Sequence, residues 1–411
     1  MFKAAVGHGL DPDSQGAIRE ALEQCKRVLG ETHPTAGILI AAIDFEHAAI
    51  VHHIRQTYPN VLLIGGTSVG EISSAEGFQE DSLTLMLFSS DEVTFGVGVG
   101  KEASKDSAAS AKRAITQANR CHKNNPTQTI KLCYVLGDGL SVDAIAMVDG
   151  LKEATNNAAP IFGGLNADDW QFEKSYQFIS TPDKTEILQD AIVTLTISGN
   201  LKVSYSIASG QRPIGAKGTI TQSEGNLVRE IDQQPAIDFY TKTLGIEDAK
   251  IASGGNWSGS LAVYPPVERD KQYENGRDIE SSTNFYVRSP NGNDFPDGSI
   301  RFYGHIPEQS DIQLVETDTS SLLSAAKEAF QSALSAYPGE SPSAALVISC
   351  ASRLKTLGTR ANQEYALTEE CFENDLPVMG FYALGEISPF TNQTEAHFHN
   401  ETFTTLLLGT Q

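Results

Sequence analysis

The stretch VLLIGGTSVGEIS, residues 61–73, runs from four apolar residues into a glycine pair, then small residues, then Gly70 and Glu71. A strand that ends in Gly-Gly takes dihedrals closed to a β-branched residue and brings its backbone close to a neighbour. The pattern recurs twice, in APIFGG (159–164) and LPVMG (376–380). Each time an acid lies six residues past the first glycine: Gly65 leads to Glu71, Gly163 to Asp169 and Gly380 to Glu386.

Outward from these loops the flanking sequence repeats as well. A strand-like run comes first: AGILIAAI (36–43), IKLCYVLGDG (130–139) and AALVISCAS (344–352). A segment of helical character follows, clearest in FEHAAIVHHIRQTYP and SVDAIAMVDGLKEATNNAA. Beyond the glycine loop each unit closes on an acidic or amide residue and an alternating strand: DSLTLMLF from Asp81, DAIVTLTI from Asp190, NETFTTLLL from Asn400. Such alternation buries one face and leaves the other to solvent. The unit is therefore strand, helix, strand, glycine loop, strand, with a parallel right-handed crossover and an antiparallel closing strand. DSLTLMLFSSDEVTFGVGVG resembles a hairpin turning near Ser89–Glu92.

Two units are contiguous and predict one domain, residues 1–210. SGQRPIGAKG (209–218) reads as a joint. A second domain, 211–411, starts with strand, turn, strand and a helix led by Pro235 and stopped by Gly245. A polar, glycine-rich middle (253–299), a helix in SSLLSAAKEAFQSALSAYPG and the third unit complete it. The expected class is mixed α/β, with large mixed sheets flanked by helices, two of them packed face to face in an αββα sandwich. A doubly wound parallel sheet is the rival.

Composition narrows the function. The chain has 411 residues, 40% hydrophobic and 20% charged, which is globular and long enough for two or three domains. No apolar run reaches the roughly 18 residues of a membrane span, and MFKAAVGHGLDPDS lacks a signal peptide's apolar core, so a cytoplasmic protein without membrane insertion is expected. The five cysteines form no CxxC pair, which suggests neither a disulfide framework nor a zinc ribbon. Thirty basic against 52 acidic residues give a net charge of −22, which argues against nucleic acid.

The glycine loops allow two readings. In one, each loop is a turn whose carboxylate, Glu71 or Asp169, accepts hydrogen bonds from the loop's own N–H groups. In the other, the loops floor a ligand cleft at the strand ends. None fits GxGxxG or GxxxxGK[ST].

Taken together, GGTSVGEIS with DSLTLMLF, YVLGDGLS with PIFGGLNADD, PAIDFYTKTLG, SCASRLKTLG and GFYALGEISPF with HNETFTTLLL resemble the FIST domain family, N-terminal and C-terminal parts in order. GGLNADD departs from the family's usual GGSAGDD. The resemblance implies a sensory, ligand-binding module of bacterial signalling proteins. Some members resemble haem proteins that sense nitric oxide and act on a partner histidine kinase. Others have been proposed to bind small ligands such as amino acids.

The third unit carries the candidate site: Cys350, Arg353, Phe381, Tyr382, Glu386, His399 and Asn400. The residue before the strand-opening acid or amide is Glu80, then Gln189, then His399, so only this unit puts an imidazole there. Its glycine loop alone holds aromatic residues, Phe381 and Tyr382. With no CxxCH, haem b would bind non-covalently with His399 as iron ligand. Arg353, Lys355 and Arg360 would meet the propionates, and Phe381 and Tyr382 would stack on the macrocycle. His397 shares a strand face with His399. An amino acid would instead place its carboxylate on Arg353 and its amine on Glu386. No GxSxG or HExxH is present, so a binding protein is expected. The alternative is an enzyme using Cys350 as nucleophile with His399.

Overall fold

The computed structural model describes residues 2–122, 129–245, 259–266, 285–291, 297–372 and 376–411. Most of the polar middle at 253–299 lies outside the described residues. Contacts divide the chain into two units: residues 1–208 with 322–398 and 402–411, and residues 209–321 with 399–401. The second unit thus begins at the joint after residue 208, while the third repeat belongs with the first two.

The first unit is one motif used three times. The first repeat holds β1 (Phe2–Gly9), α1 (Ser14–Leu29), β2 (Ala36–Ala41), α2 (His47–Thr57), β3 (Leu62–Thr67), a hairpin β4 (Glu71–Ser73) and β5 (Gly77–Gln79), and β6 (Leu83–Ser90). The second holds β7 (Val93–Lys101), α3 (Ser107–Cys121), β8 (Ile130–Asp138), α4 (Ala144–Thr155), β9 (Ile161–Asn166), the hairpin β10 (Gln177–Ser180) and β11 (Thr185–Leu188), and β12 (Ala191–Gly199).

The third begins with β13 (Lys202–Ala208), and the second unit is inserted directly after it. That insertion comprises β14 (Arg212–Glu224), β15 (Leu227–Ile231), β16 (Gln234–Pro235), α5 (Ala236–Leu244), β17 (Leu261–Tyr264), β18 (Tyr286–Arg288), β19 (Ile300–Arg301) and β20 (Asp311–Glu316). The third repeat then resumes with α6 (Thr319–Ser335), β21 (Ala344–Cys350), α7 (Ala351–Leu357), α8 (Ala361–Glu369), β22 (Val378–Ala383), the hairpin β23 (Glu386–Pro389) and β24 (Ala396–His399), and β25 (Phe403–Gly409).

Each repeat builds a six-stranded sheet by one rule. Its first and second core strands are parallel: β2 with β3, β8 with β9, β21 with β22. The closing strand is antiparallel to the first: β6 to β2, β12 to β8, β25 to β21. This excludes a doubly wound parallel sheet. β1, β7 and β13 then flank the closing strands. The hairpins are exchanged cyclically: β10 pairs with β3, β23 with β9 and β4 with β22.

Mixed sheets flanked by helices are observed, but the expected face-to-face pair is replaced by three sheets sharing one core. Ile38, Met86, Leu136, Leu195, Leu346, Phe381 and Leu406 all lie in that core. Neighbouring residues on the same strands face the helices instead: Leu39 and Leu87 in the first repeat, Val135 in the second, Val347 in the third. Closing strands such as LTLMLF are therefore buried on both faces, not solvated on one. The hairpin expected at Ser89–Glu92 is also absent. β6 has both edges occupied by β1 and β2, so the chain leaves its sheet and β7 enters the next one.

The first glycine of each loop has one geometric reason. A Cβ added at Gly65 would stand 2.1 Å from the Leu39 carbonyl oxygen, at Gly163 1.9 Å from that of Val135, and at Gly380 2.3 Å from that of Val347. Past the glycines the loops join each other. Ala167 N–H donates to Thr67 O at 3.0 Å, Leu384 N–H to Leu165 O at 3.1 Å and Val69 N–H to Tyr382 O at 3.4 Å. Repeat two thus bonds repeat one, three bonds two, and one bonds three. Leu165 N–H to Gly385 O and Tyr382 N–H to Gly70 O reinforce the ring at 3.0 and 2.9 Å.

In the second unit the strand order is β16-β15-β14-β20-β17-β18. Helix α5 follows Pro235 and ends at Gly245, whose φ of 66° is the left-handed stop expected of glycine. Among the described residues no helix is long and apolar enough to cross a membrane.

Substituting alanine for Gly163 is expected to lower the urea midpoint of the whole first unit, at a cost of about 1–3 kcal/mol or more, because the main chain must shift. An unchanged midpoint would contradict the contact described.

Candidate functional site

Of the predicted residues, Arg353 and Tyr382 meet on a shared buried carboxylate. Glu364, on α8, accepts from Arg353 Nε at 3.0 Å and Nη2 at 2.7 Å, from Ser349 Oγ at 2.7 Å and from Tyr382 OH at 2.7 Å. Arg353 Nη2 also reaches Leu322 O at 2.8 Å, and the guanidinium sits 5.9 Å from the Phe403 ring centre. The arginine is 1% exposed and Glu364 wholly buried. Arg353 is therefore spent on an internal ion pair. Removing one partner of such a pair leaves an uncompensated charge, which explains why both are held so completely. Phe381 is packed in the shared core and Tyr382 against the third repeat's helices, where neither presents a ring face to a ligand.

Glu386 is wholly buried and accepts from Thr402 N–H at 3.0 Å and Thr402 Oγ1 at 2.6 Å. The Cys350 thiol lies beside it as a weak further donor, while no N–H or O–H reaches Oε1. Glu71 repeats this arrangement in the first unit's first repeat. It accepts from Ser82 N–H at 3.3 Å, Ser82 Oγ at 2.7 Å and Ser68 Oγ at 2.5 Å. Ser82 Oγ in turn bonds His8 Nε2 at 2.9 Å, and His8 Nδ1 bonds Ser73 Oγ at 2.7 Å. Burial pushes both carboxyls up, to about 8, and pushes His8 down to about 4. His8 lies on the buried strand β1.

The loop-tying reading needs correction in both repeats: Glu71 accepts hydroxyls and the Ser82 N–H beyond the loop, and in the second repeat a different acid does the tying. Asp169 is exposed, and it is Asp168 that accepts from Phe172, Glu173 and Lys174 N–H at 2.9, 2.8 and 3.3 Å. The alignment of His399 also shifts by one residue. The left-handed residue before the closing strand is Asp81 (φ 51°), Asp190 (φ 50°) and Glu401 (φ 59°), followed by Ser82, Ala191 and Thr402. Asn400 therefore corresponds to Glu80 and Gln189, and His399 to Gln79 at the end of a hairpin strand. At this shifted position the third repeat has His399 where the others have Gln79 and Leu188.

His399 and Asn400 belong to the second unit by their contacts, and His397 to the first. His399 is buried and stacks on Tyr286 at 6.0 Å between ring centres, and His397 lies 5.5 Å from Phe390. Cys350 is buried, with Ser352 Oγ donating to its sulfur at 3.2 Å. Among the described residues no cluster of three or more His, Cys, Asp or Glu could hold a metal ion.

Open space of ligand size lies elsewhere in the first unit. A groove of about 780 Å³ is lined by Phe78 and Glu80 of the first repeat, Trp170 and Phe172 of the second, and Leu354, Lys355 and the 358–362 turn of the third. A cavity of about 220 Å³ shares Glu80 and Trp170 with it and is floored by Ala42, Ile43, Ser68 and Val69. In the glycine loop of the first repeat, Glu71 bonds the Ser68 hydroxyl, and Ser68 and Val69 line the small cavity. Lys355 and Asp169 were visible in the sequence. Trp170 and Phe172 were missed, although two aromatic residues in a polar loop, where the first repeat has Ile72, were the available signal.

Residues 35–234 match the FIST N domain and residues 236–389 the FIST C domain. The chain belongs to the FIST family. An uncharacterized protein of Methanocaldococcus jannaschii is 26% identical over 196 residues, 46% of this chain and 36% of that protein. The aligned region thus spans about a third of the length of that relative. Among solved structures, one titled "Cyanuric acid hydrolase: evolutionary innovation by structural concatenation" covers all of both chains at 10% identity and a TM-score of 0.36. A cyanuric acid hydrolase from A. caulinodans covers 51% of this FIST chain and 72% of its own at 13% identity and a TM-score of 0.26.

The buried carboxyls set a pH dependence. Unfolded glutamates release their protons near 4.5, whereas Glu71 and Glu386 hold theirs to about 8. The folded state binds more protons across this window, so their contribution to stability falls as pH rises from 4.5 to 8. His8 acts oppositely, costing stability as pH falls from 6.5 toward 4. Glu71→Gln combined with Glu386→Gln should flatten the loss of melting temperature between pH 5 and pH 8, where an unaltered slope would refute the assignment.

Proposed function

We propose that this protein is a cytoplasmic sensory module that binds a small amphipathic ligand in the Phe78–Trp170–Leu354 groove and reports to a signalling partner such as a histidine kinase. FIST domains are associated with ligand binding in sensory and signalling proteins, which supports the class of function. The observation that carries the place is the lining itself, in which all three repeats contribute side chains to one groove. A ligand there touches segments that no single repeat holds, so its binding free energy acts on how the repeats are joined. The coupling is short. Val69, in the cavity floor, is the residue whose N–H closes the ring onto Tyr382 O.

Haem fits this groove poorly. Arg353, proposed for a propionate, is paired with Glu364, and Phe381 is enclosed in the core. The groove and cavity linings contain no histidine, cysteine or methionine to serve as an axial ligand. An amino-acid-like metabolite suits the groove better, with Lys355 for a carboxylate and Glu80 for an amine. Binding, and not catalysis, is the proposed activity.

Trp170 offers a direct reporter, since the chain has two tryptophans and a Trp257→Phe variant leaves it alone. A metabolite library screened on that variant should yield compounds that shift Trp170 emission and that lose about tenfold in affinity in Phe172→Ala or Lys355→Ala. Ligands indifferent to both substitutions would place the site elsewhere.

A further inference from the structure

The groove and the cavity differ in kind. The groove is walled by Phe78, Phe172, Leu354 and Ala361, a surface for an apolar or planar body. The cavity carries Glu80, Asp81 and Asp169 around a floor of small and apolar residues, with the Trp170 indole completing it, and none of its lining residues is basic. The two share Trp170 and Glu80, so one molecule extended through the shared residues meets aromatic walls first and carboxylates at its end.

The Trp170 loop is built to hold this shape. Trp170 and Phe172 have φ of 58° and 54°, a left-handed conformation that bulky side chains rarely adopt. The three N–H groups accepted by Asp168 hold the loop against that strain. The result is a pair of rings 6.5 Å apart, edge to face, 36% and 48% exposed at the groove. The two rings thus present adjacent aromatic surface where they line the groove.

Building on the assignment of the groove as the ligand site, we infer that its ligand is an amphipathic cation, with an aromatic or alkyl body in the groove and an ammonium or guanidinium head in the cavity. A cation over an indole face gains from the ring quadrupole, and carboxylates close by add charge-assisted hydrogen bonds. A carboxylate or phosphate head in the same place would face three acids on a chain of net charge −22. Lys355 lines the groove, whereas the cavity's charged lining residues are all acidic.

Calorimetric titration of the full chain with phenethylamine, phenethyl alcohol and hydrocinnamate compares one ring bearing a cationic, a neutral and an anionic head. The amine is expected to bind about tenfold more tightly than either of the others, and to lose about tenfold in a Glu80→Gln, Asp169→Asn double variant of unchanged melting temperature. Hydrocinnamate binding as tightly as the amine, or an amine affinity untouched by the double variant, overturns the inference. All three compounds silent while library ligands still report at Trp170 also overturns it and leaves the groove intact. Silence of every ligand at Trp170, or ligands indifferent to both Phe172→Ala and Lys355→Ala, would count against the groove itself.

Discussion

Three main-chain hydrogen bonds, from Val69, Ala167 and Leu384 to Tyr382, Thr67 and Leu165, close the glycine loops of the repeats into a ring. Nearly everything else in the first unit follows from that closure. The loops can meet only because glycine lets each second core strand lie against the carbonyls of the first. Having met, they direct each hairpin onto the sheet of a neighbouring repeat, so that β3, β9 and β22 each have their second edge covered. An open edge of this kind would otherwise be a template for pairing with another chain. A single repeat would lack both its outer hairpin and the common core, and the insertion of the second unit after β13 is tolerated because it interrupts none of the ring bonds.

The same loops divide their remaining chemistry unequally. Glu71 and Glu386 are neutral at moderate pH because burial outweighs the hydroxyl and N–H groups they accept. They tie a loop to the start of a closing strand through Ser82 or Thr402. The second repeat has Ala191 there and cannot use this device. Its acid at the corresponding position, Asp169, turns outward, and Asp168 organises a longer loop that carries Trp170 and Phe172 to the groove. The repeat that lacks the hydroxyl tie is thus the one whose loop carries aromatic side chains to the groove.

Much of this was legible in the sequence, where the cause was local. Strand, helix and glycine-loop order could be read three times because each signal, an apolar run or a Gly that avoids a carbonyl, sits within a few residues. Pro235 and Gly245 delimited α5 for the same reason. The hairpin exchange was hidden, since β4 pairs with β22 some three hundred residues away and nothing in Glu71–Ser73 names its partner. The turn at Ser89–Glu92 misled because whether two strands pair depends on which edges are already taken. Arg353 looked available within SRLKTLGTR, yet Glu364, eleven residues on, consumes it. The equivalence of Glu401 with Asp81 and Asp190 rests on positive φ, which the side chains at 399–401 do not announce.

Native-state hydrogen exchange at the amides of Val69, Ala167 and Leu384 tests the ring most directly. The three bonds close one circuit, so all three amides should exchange through the same opening, with a free energy equal to that of unfolding the first unit and an identical dependence on denaturant. If one of them exchanged through a smaller local opening while the other two stayed protected, the loops would be independent turns, and the ring would not be what holds the repeats together.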